Sequence, residues 1–365
     1  MNSSAAAAKA WDTTSGASPS AGPVPGSGGR RSVLVVVPTR GVTFVEEDIR
    51  ILSESYRVDV FSRSDFESLR QLLPALVRQL ARGHYSLVYV WFAEPYDSPY
   101  IVLLARLFRA KCAIVVGGYD VASLPSLGYG SLTTRADRWK VRIALWGAHI
   151  LLPTSLLLEQ EVYSLGRRRN VRVIYPGVDC SYFTPGVVRK EPLVVTVGTV
   201  AETTWRVKGL DVFAQCSRLL PAVQFAILGM CADGKIAAEL QALGGPNLAV
   251  VGRRLSREEL LPWYQRASVY AQLSARESFG LALAESMACG CIPVTTNVGS
   301  LPEVVGDTGF LVDHGDPAAA AAAITQALIS GVGSAARNRV QEQFPSERRE
   351  RELTDVVASV LGATE

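Results

Sequence analysis

A chain of 365 residues, 48% hydrophobic and 19% charged, carries enough apolar material for two buried cores and is not a disordered polymer. Its net charge of only +3 argues against a dedicated nucleic-acid binder. Six scattered cysteines and three dispersed histidines show no metal-type spacing, so no metal site is expected, and the thiols read as small buried hydrophobes of a reduced, cytoplasmic protein.

The first thirty residues are rich in Ser, Ala, Gly and Pro. They lack both an amphipathic pattern and the apolar core of a secretory signal, and 1–30 is expected to be a disordered tail. No stretch reaches the ~18 to 20 apolar residues of a bilayer span. From Arg31 onward, short β-branched runs alternate with helix-length segments. Strands are predicted at 32–38, 57–62, 86–92, 112–118, 149–155 and 171–177, with helices over 45–54, 66–82, 99–108 and 136–147. The pattern pauses at the Pro- and Gly-bearing segment 177–192 and restarts with strands at 193–199, 223–229, 248–253, 267–274, 291–296 and 308–312.

Near-continuous apolar strands alternating with helices indicate parallel sheets covered on both faces. The expected architecture is therefore α/β, two Rossmann-like parallel-sheet domains at 31–185 and 186–345 facing across a cleft. Ligands bind such folds at the carboxyl ends of the strands. A last helix, about 346–362, is apolar at Leu353, Val356, Val357 and Val360 and can pack on either half, including back on the first.

The segment "SARESFGLALAESMACGCIPV" (274–294) concentrates the chemistry. A strand ends at Ser274, a short loop follows, and a helix is predicted from about Phe279 to Ala288, stopped by Gly290. The free amides and macrodipole of that helix start favour an anion, and Gly280 lets a phosphate come close. Glu277 and Glu285 lie eight positions apart, ~12 Å if helical, which is roughly a sugar ring plus a diphosphate. One carboxylate can then bind sugar hydroxyls and the other ribose hydroxyls. A solvated loop glutamate and an exposed helix glutamate would show the same spacing by chance.

With its continuation to Val312, this segment resembles the signature of the retaining glycosyltransferases of family four, the E-x7-E enzymes of GT-B fold. "VRVIYPGVDCSYFTP" (171–185), "VGTVAETTWRVKGLDVF" (197–213) and "LSREELLPWYQRASVYAQLS" (255–274) resemble other stretches of that family in the same order. The resemblance implies retaining transfer of a sugar from a nucleotide-diphosphate sugar to a sugar or lipid-linked acceptor hydroxyl, in glycan, glycolipid or polysaccharide synthesis, without a cofactor or metal. It makes Glu277 the ligand of the donor sugar and the amides of Ser278, Phe279, Gly280 and Leu281 the phosphate and sugar cradle. Glu285 becomes the ribose ligand, and Lys208 the cation that neutralises the departing diphosphate, as leaving-group charge requires.

The sequence also departs from the family. Thr199 stands where an arginine is usual, and Arg206 is either its replacement or a solvated charge. Arg253 either stacks on the nucleobase or lies on the surface. Gly41 is expected near the diphosphate. "GGYD" (117–120) replaces a stretch in which many relatives carry a histidine. Asp120 is expected there as a catalytic contact to donor or acceptor hydroxyls, or else as a turn aspartate.

"TTRADRWKVRIALWGAH" (133–149) combines basic and aromatic residues on one helix. It reads either as a weak peripheral contact with the inner face of a membrane or as a solvated face. A nicotinamide oxidoreductase would need G-x-G-x-x-G after an early strand, and neither "VVVPTRGVTF" nor "VTVGTVAETT" supplies it. A nucleotide-sugar-binding protein without turnover, or an epimerase on the same fold, stands as the alternative.

Overall fold

Five parallel strands form the first sheet of the computed structural model, which describes residues 30–167 and 169–362. These are β1 (Ser32–Val37), β2 (Arg57–Ser62), β3 (Leu87–Trp91), β4 (Lys111–Val116) and β5 (Ile150–Pro153), in the order β2-β1-β3-β4-β5. Val33 to Val37 are fully buried along β1. A strand apolar on both faces needs a layer on each side. The layers come from α1 (Thr43–Ser55), α2 (Leu69–Gly83), α3 (Ser98–Leu107), α4 (Arg135–Gly147) and α5 (Leu156–Ser164). The expected tail at 1–30 falls outside the described residues apart from its last position.

The second sheet has six parallel strands in the order β11-β10-β9-β6-β7-β8. They are β6 (Glu191–Val197), β7 (Gln224–Leu228), β8 (Leu248–Val251), β9 (Ala267–Gln272), β10 (Ile292–Thr296) and β11 (Phe310–Val312). The intervening helices are α6 (Leu210–Leu219), α7 (Gly234–Leu243), α8 (Arg257–Arg266), α9 (Leu281–Ala288), α10 (Leu301–Val305), α11 (Pro317–Ser330) and α12 (Gly333–Gln343). Each sheet has one apolar cluster on either face. The α/β, two-sheet expectation is what the molecule adopts.

The strand predicted at 171–177 does not form. Arg172 and Ile174 donate to the carbonyls of Leu151 and Pro153, yet only Val171 makes a bridge to β5. Pro153 has no N–H to return, so the ladder breaks beside it. The segment leaves the sheet and crosses to the other half.

A second crossing runs back. Val178 pairs with Pro345, and α13 (Ser346–Leu361) then buries Leu353, Val356 and Val357 against Val33, Val35 and Val37 of β1. Arg349 on α13 anchors it, donating to both carboxylate oxygens of Asp48 at 2.8 Å and to the carbonyl of Tyr175 at 2.9 Å. Both side chains are buried, and Tyr89 completes the network with a 2.7 Å bond to Asp48.

Candidate functional site

Strand β9 ends at Gln272, and its loop delivers Glu277 to the cleft at the start of α9. Gly280 is the N-cap in left-handed conformation, φ 88°, which a side chain would disfavour. The helix therefore begins two residues later than predicted, and Phe279 lies before it. The phenyl ring is buried edge-on to Phe344, so only its backbone is free to serve a ligand.

Glu277 is held from three sides. Its Oε2 accepts from Lys208 Nζ at 2.8 Å and Gln272 Nε2 at 2.9 Å, and its Oε1 accepts from the Ser278 N–H at 3.2 Å. The carboxylate is 12% exposed and the lysine 31%. Burial works against the Lys208 charge, but Glu277 and the phenol of Tyr129 outweigh it and raise its pKa.

The Lys-Gly pair has a mechanical reason. Gly209, at φ 64°, crosses the end of β9 so closely that a Cβ would fall 1.8 Å from the Leu273 carbonyl oxygen. That contact, with the Ala275 N–H donating to Val207 at 2.8 Å, fixes Lys208 beside Glu277 although they are distant in sequence.

Glu285 lies one helical layer deeper and is 7% exposed. Burial pushes its pKa up to about 7 against the pull of Arg257. It lines a cavity of about 510 Å³ between the two halves, together with Phe44, Arg50, Asp179, Arg257 and Leu281. Glu277 and Glu285 thus flank the start of α9, with open volume beside the second.

Other expected residues divide. Gly41 is at the cleft, its carbonyl accepting from Arg254 of the opposite half at 3.0 Å. Arg206 is exposed, its guanidinium 4.6 Å over the ring of Trp205. Arg253 is 61% exposed and pairs with Glu259 on α8. Asp120 is a correction. It is fully buried, and its two oxygens accept from the N–H groups of Ala93 at 2.9 Å and Gly118 at 2.7 Å. Rather than presenting a carboxylate to hydroxyls, it ties the end of β3 to the end of β4.

The sequence reading missed several residues. Arg276 makes a two-pronged pair with Glu161 of α5, at 2.8 and 2.6 Å, across the domain boundary. Its position inside the "ARES" loop was the available signal. Gly118, at φ 115°, comes so close to Ser278 that a Cβ would lie 1.8 Å from its Oγ. Tyr129, in the first half, feels the charges of Lys208 and Glu277 and packs edge-on against Tyr119. Glu94, just past β3, accepts from Ser131 at 3.1 Å. Burial raises its pKa to about 7; Arg63 opposes the rise, and Asp120 and Asp97 add to it. Among the described residues no cluster of three or more His, Cys, Asp or Glu suits a metal ion.

Residues 191–330 match the family described as glycosyl transferases group 1. D-inositol 3-phosphate glycosyltransferase of Xylanimonas cellulosilytica is 36% identical over 191 residues, 46% of this chain and 45% of that protein. The corresponding enzyme of Mycobacterium sp. (strain KMS) is 29% identical over 273 residues, 69% of this chain and 58% of that one. The chain thus spans about half the length of these relatives. Sucrose-phosphate synthase from Thermosynechococcus elongatus superimposes with a TM-score of 0.76 at 20% identity, over 92% of this chain and 100% of that one. Anabaena HepE in complex with UDP gives 0.71 at 18% identity, over 90% and 100%. The fold is accordingly GT-B, two Rossmann-like halves across a cleft.

Proposed function

We propose that this chain, whose residues 191–330 are a group 1 glycosyltransferase domain on a GT-B fold, is a retaining glycosyltransferase that moves a sugar from a nucleotide-diphosphate sugar to an acceptor hydroxyl. The observation that carries the reading is the Lys208–Glu277 pair at the start of α9, with Glu285 beside a cavity of nucleotide size.

In this reading the diphosphate takes Lys208 from Glu277 and accepts the free amides at the start of α9, Gly280 and Leu281 among them. Released from the lysine, Glu277 binds hydroxyls of the donor sugar. Glu285, as the anion, accepts from the two ribose hydroxyls. The bond from the anomeric carbon to the phosphate oxygen breaks as a bond to the acceptor oxygen forms on the same face. The acceptor's proton passes to the departing phosphate. Lys208 and the helix start stabilise the leaving charge without requiring a metal.

On the opposite wall, Glu94 and Tyr129 supply a hydrogen-bonding surface for the acceptor, a sugar or a lipid-linked one. We place the enzyme in the cytoplasm, where its six free cysteines are stable. HepE is described with UDP and UDP-glucose, which makes UDP-hexoses the first donors to try.

The test is incubation with a panel of labelled nucleotide sugars and NMR assignment of the product anomer. Transfer with retained configuration is expected. Tight donor binding with no release of nucleotide under any acceptor would establish the binding-protein alternative instead.

A further inference from the structure

The outer face of the first domain is unusually apolar where the described residues leave it exposed. Helices α3 and α4 follow consecutive strands of the sheet and pack side by side. Tyr100, Leu103 and Leu107 on α3 are 44, 63 and 72% exposed; Trp139, Ile143 and Trp146 on α4 are 57, 55 and 48% exposed. Their spacings, three and four along α3 and four and three along α4, set each trio on a single stripe. On α4 that stripe lies opposite the buried Val141, Ala144 and Leu145. The two stripes run along neighbouring helices and face the same way, forming one apolar strip.

Charge distinguishes what the strip would meet. Residues 98–147 contain seven Lys and Arg against two Asp, one of them the buried Asp120, while the whole chain carries only +3. The rest of the chain is therefore net negative, and the excess positive charge is gathered around this face. Arg142 lies between the two tryptophans, its guanidinium 4.7 Å from the ring of Trp139 and 5.2 Å from that of Trp146. A protein interface depletes lysine and keeps charge away from its centre. Tryptophan and arginine are common to both kinds of surface, but a net positive face that includes Lys140 matches the boundary between lipid headgroups and acyl chains, where rings sit at headgroup depth and guanidinium and ammonium groups reach phosphates. Among the described residues no single helix is long and apolar enough to cross a membrane.

We propose that the α3–α4 face docks onto an anionic lipid bilayer, with the apolar strip entering the headgroup boundary and the surrounding Arg and Lys pairing with lipid phosphates. The docking rests on the glycosyltransferase reading only for its purpose, which is to hold the first domain against a bilayer that presents a lipid-linked acceptor. Its geometry stands apart from that reading.

Flotation of the full chain with phosphatidylglycerol–phosphatidylcholine vesicles, against phosphatidylcholine alone, tests it at low and high salt. The wild type is expected to float with the anionic vesicles only, and salt should release it. Leu103→Gln/Trp139→Gln/Ile143→Gln changes only exposed positions. It should weaken vesicle binding by about tenfold or more, as should Arg138→Glu/Lys140→Glu. Thermal unfolding of both variants should match that of the wild type. Absence of flotation by the wild type, or flotation untouched by either variant, overturns the proposal. So does a wild-type dimer that ignores vesicles and is made monomeric by the triple substitution, since the face would then belong to a second copy. Nucleotide-sugar binding, followed by thermal shift on the same samples, separates the two readings. Donor binding without flotation removes only the docking, and flotation without donor binding removes only the transferase.

Discussion

Two strand ends face each other across the cleft, and they are built in opposite ways. After β9 the chain leaves a glutamate and a helix start, with Lys208 brought beside them from the loop after β6, and Gly280 leaves the amides open. After β4 the chain has Gly118 pressed against Ser278 and Asp120 turned inward, with both oxygens occupied by backbone N–H groups. One turn offers charge to a ligand, and the other uses charge to hold its own backbone. An acidic residue at the carboxyl end of a strand is thus not by itself a sign of chemistry. What separates the cases is how fully the carboxylate is buried and claimed: backbone amides hold both oxygens of the fully buried Asp120 but only one of Glu277.

The sharpest test of what holds the two halves together is Arg349→Met. It leaves Asp48 buried with one polar partner fewer, and breaking a buried pair from one side costs about 3–5 kcal/mol. Chemical denaturation should show that loss. A variant unfolding at the wild-type midpoint would mean that α13 is not anchored through this pair.

Next in size is Lys208→Met, which attacks the open turn directly. Removing one group that stabilises leaving-group charge costs on the order of 10²–10³ in turnover, about 3–4 kcal/mol. Steady-state kinetics with the labelled donor, taken per folded molecule, should show the fall mainly in kcat, with some loss of melting temperature because Glu277 keeps Gln272 and the Ser278 N–H but loses its cation. Turnover within a few-fold of the wild type would remove Lys208 from the reaction.

Asp120→Asn probes the closed turn. An amide can still accept from one N–H but sets an NH2 group against the other, and an unmet buried donor costs about 1–3 kcal/mol. The melting temperature should fall while turnover per folded molecule stays near that of the wild type. Loss of turnover at an unchanged melting temperature would restore the catalytic role that the sequence suggested for Asp120.

The same contrast explains what could be read from the sequence. The second half declares itself locally. The strand runs "LVVTVGT" and "VQFAILG" are largely apolar, and Glu277, Gly280 and Glu285 sit within nine residues of one another. In the first half the deciding contacts are distant. Arg276 meets Glu161 over 115 residues and Arg349 meets Asp48 over 301, and no spacing rule reports such pairs. Tyr129 comes from a loop without periodicity, so its approach to Lys208 carries no signal at all. The strand expected at 171–177 had the composition of a strand. It failed through its neighbour, because Pro153 cannot donate to the ladder. The inward turn of Asp120 is likewise set by the loop after β3, which places the Ala93 N–H where a ligand hydroxyl was expected.

The smallest expected effect is a pH dependence, and it isolates Glu285 from Glu277. With the Glu285 pKa raised from 4.5 to about 7 by burial, the folded chain binds this proton more tightly than the unfolded chain does. The folded state is therefore favoured at low pH, and this contribution is lost as pH climbs from about 4.5 to about 7. Donor binding has the opposite sign, because two ribose hydroxyls need the ionised carboxylate as acceptor. Nucleotide affinity should therefore fall as pH drops below about 7, approaching tenfold per unit well below that value. In Glu285→Gln both slopes should flatten, with affinity set near the weaker, low-pH level of the wild type. Calorimetric titration of the nucleotide at pH 6 to 8 measures it, and a wild-type affinity independent of pH over that window would take Glu285 out of the ribose contact.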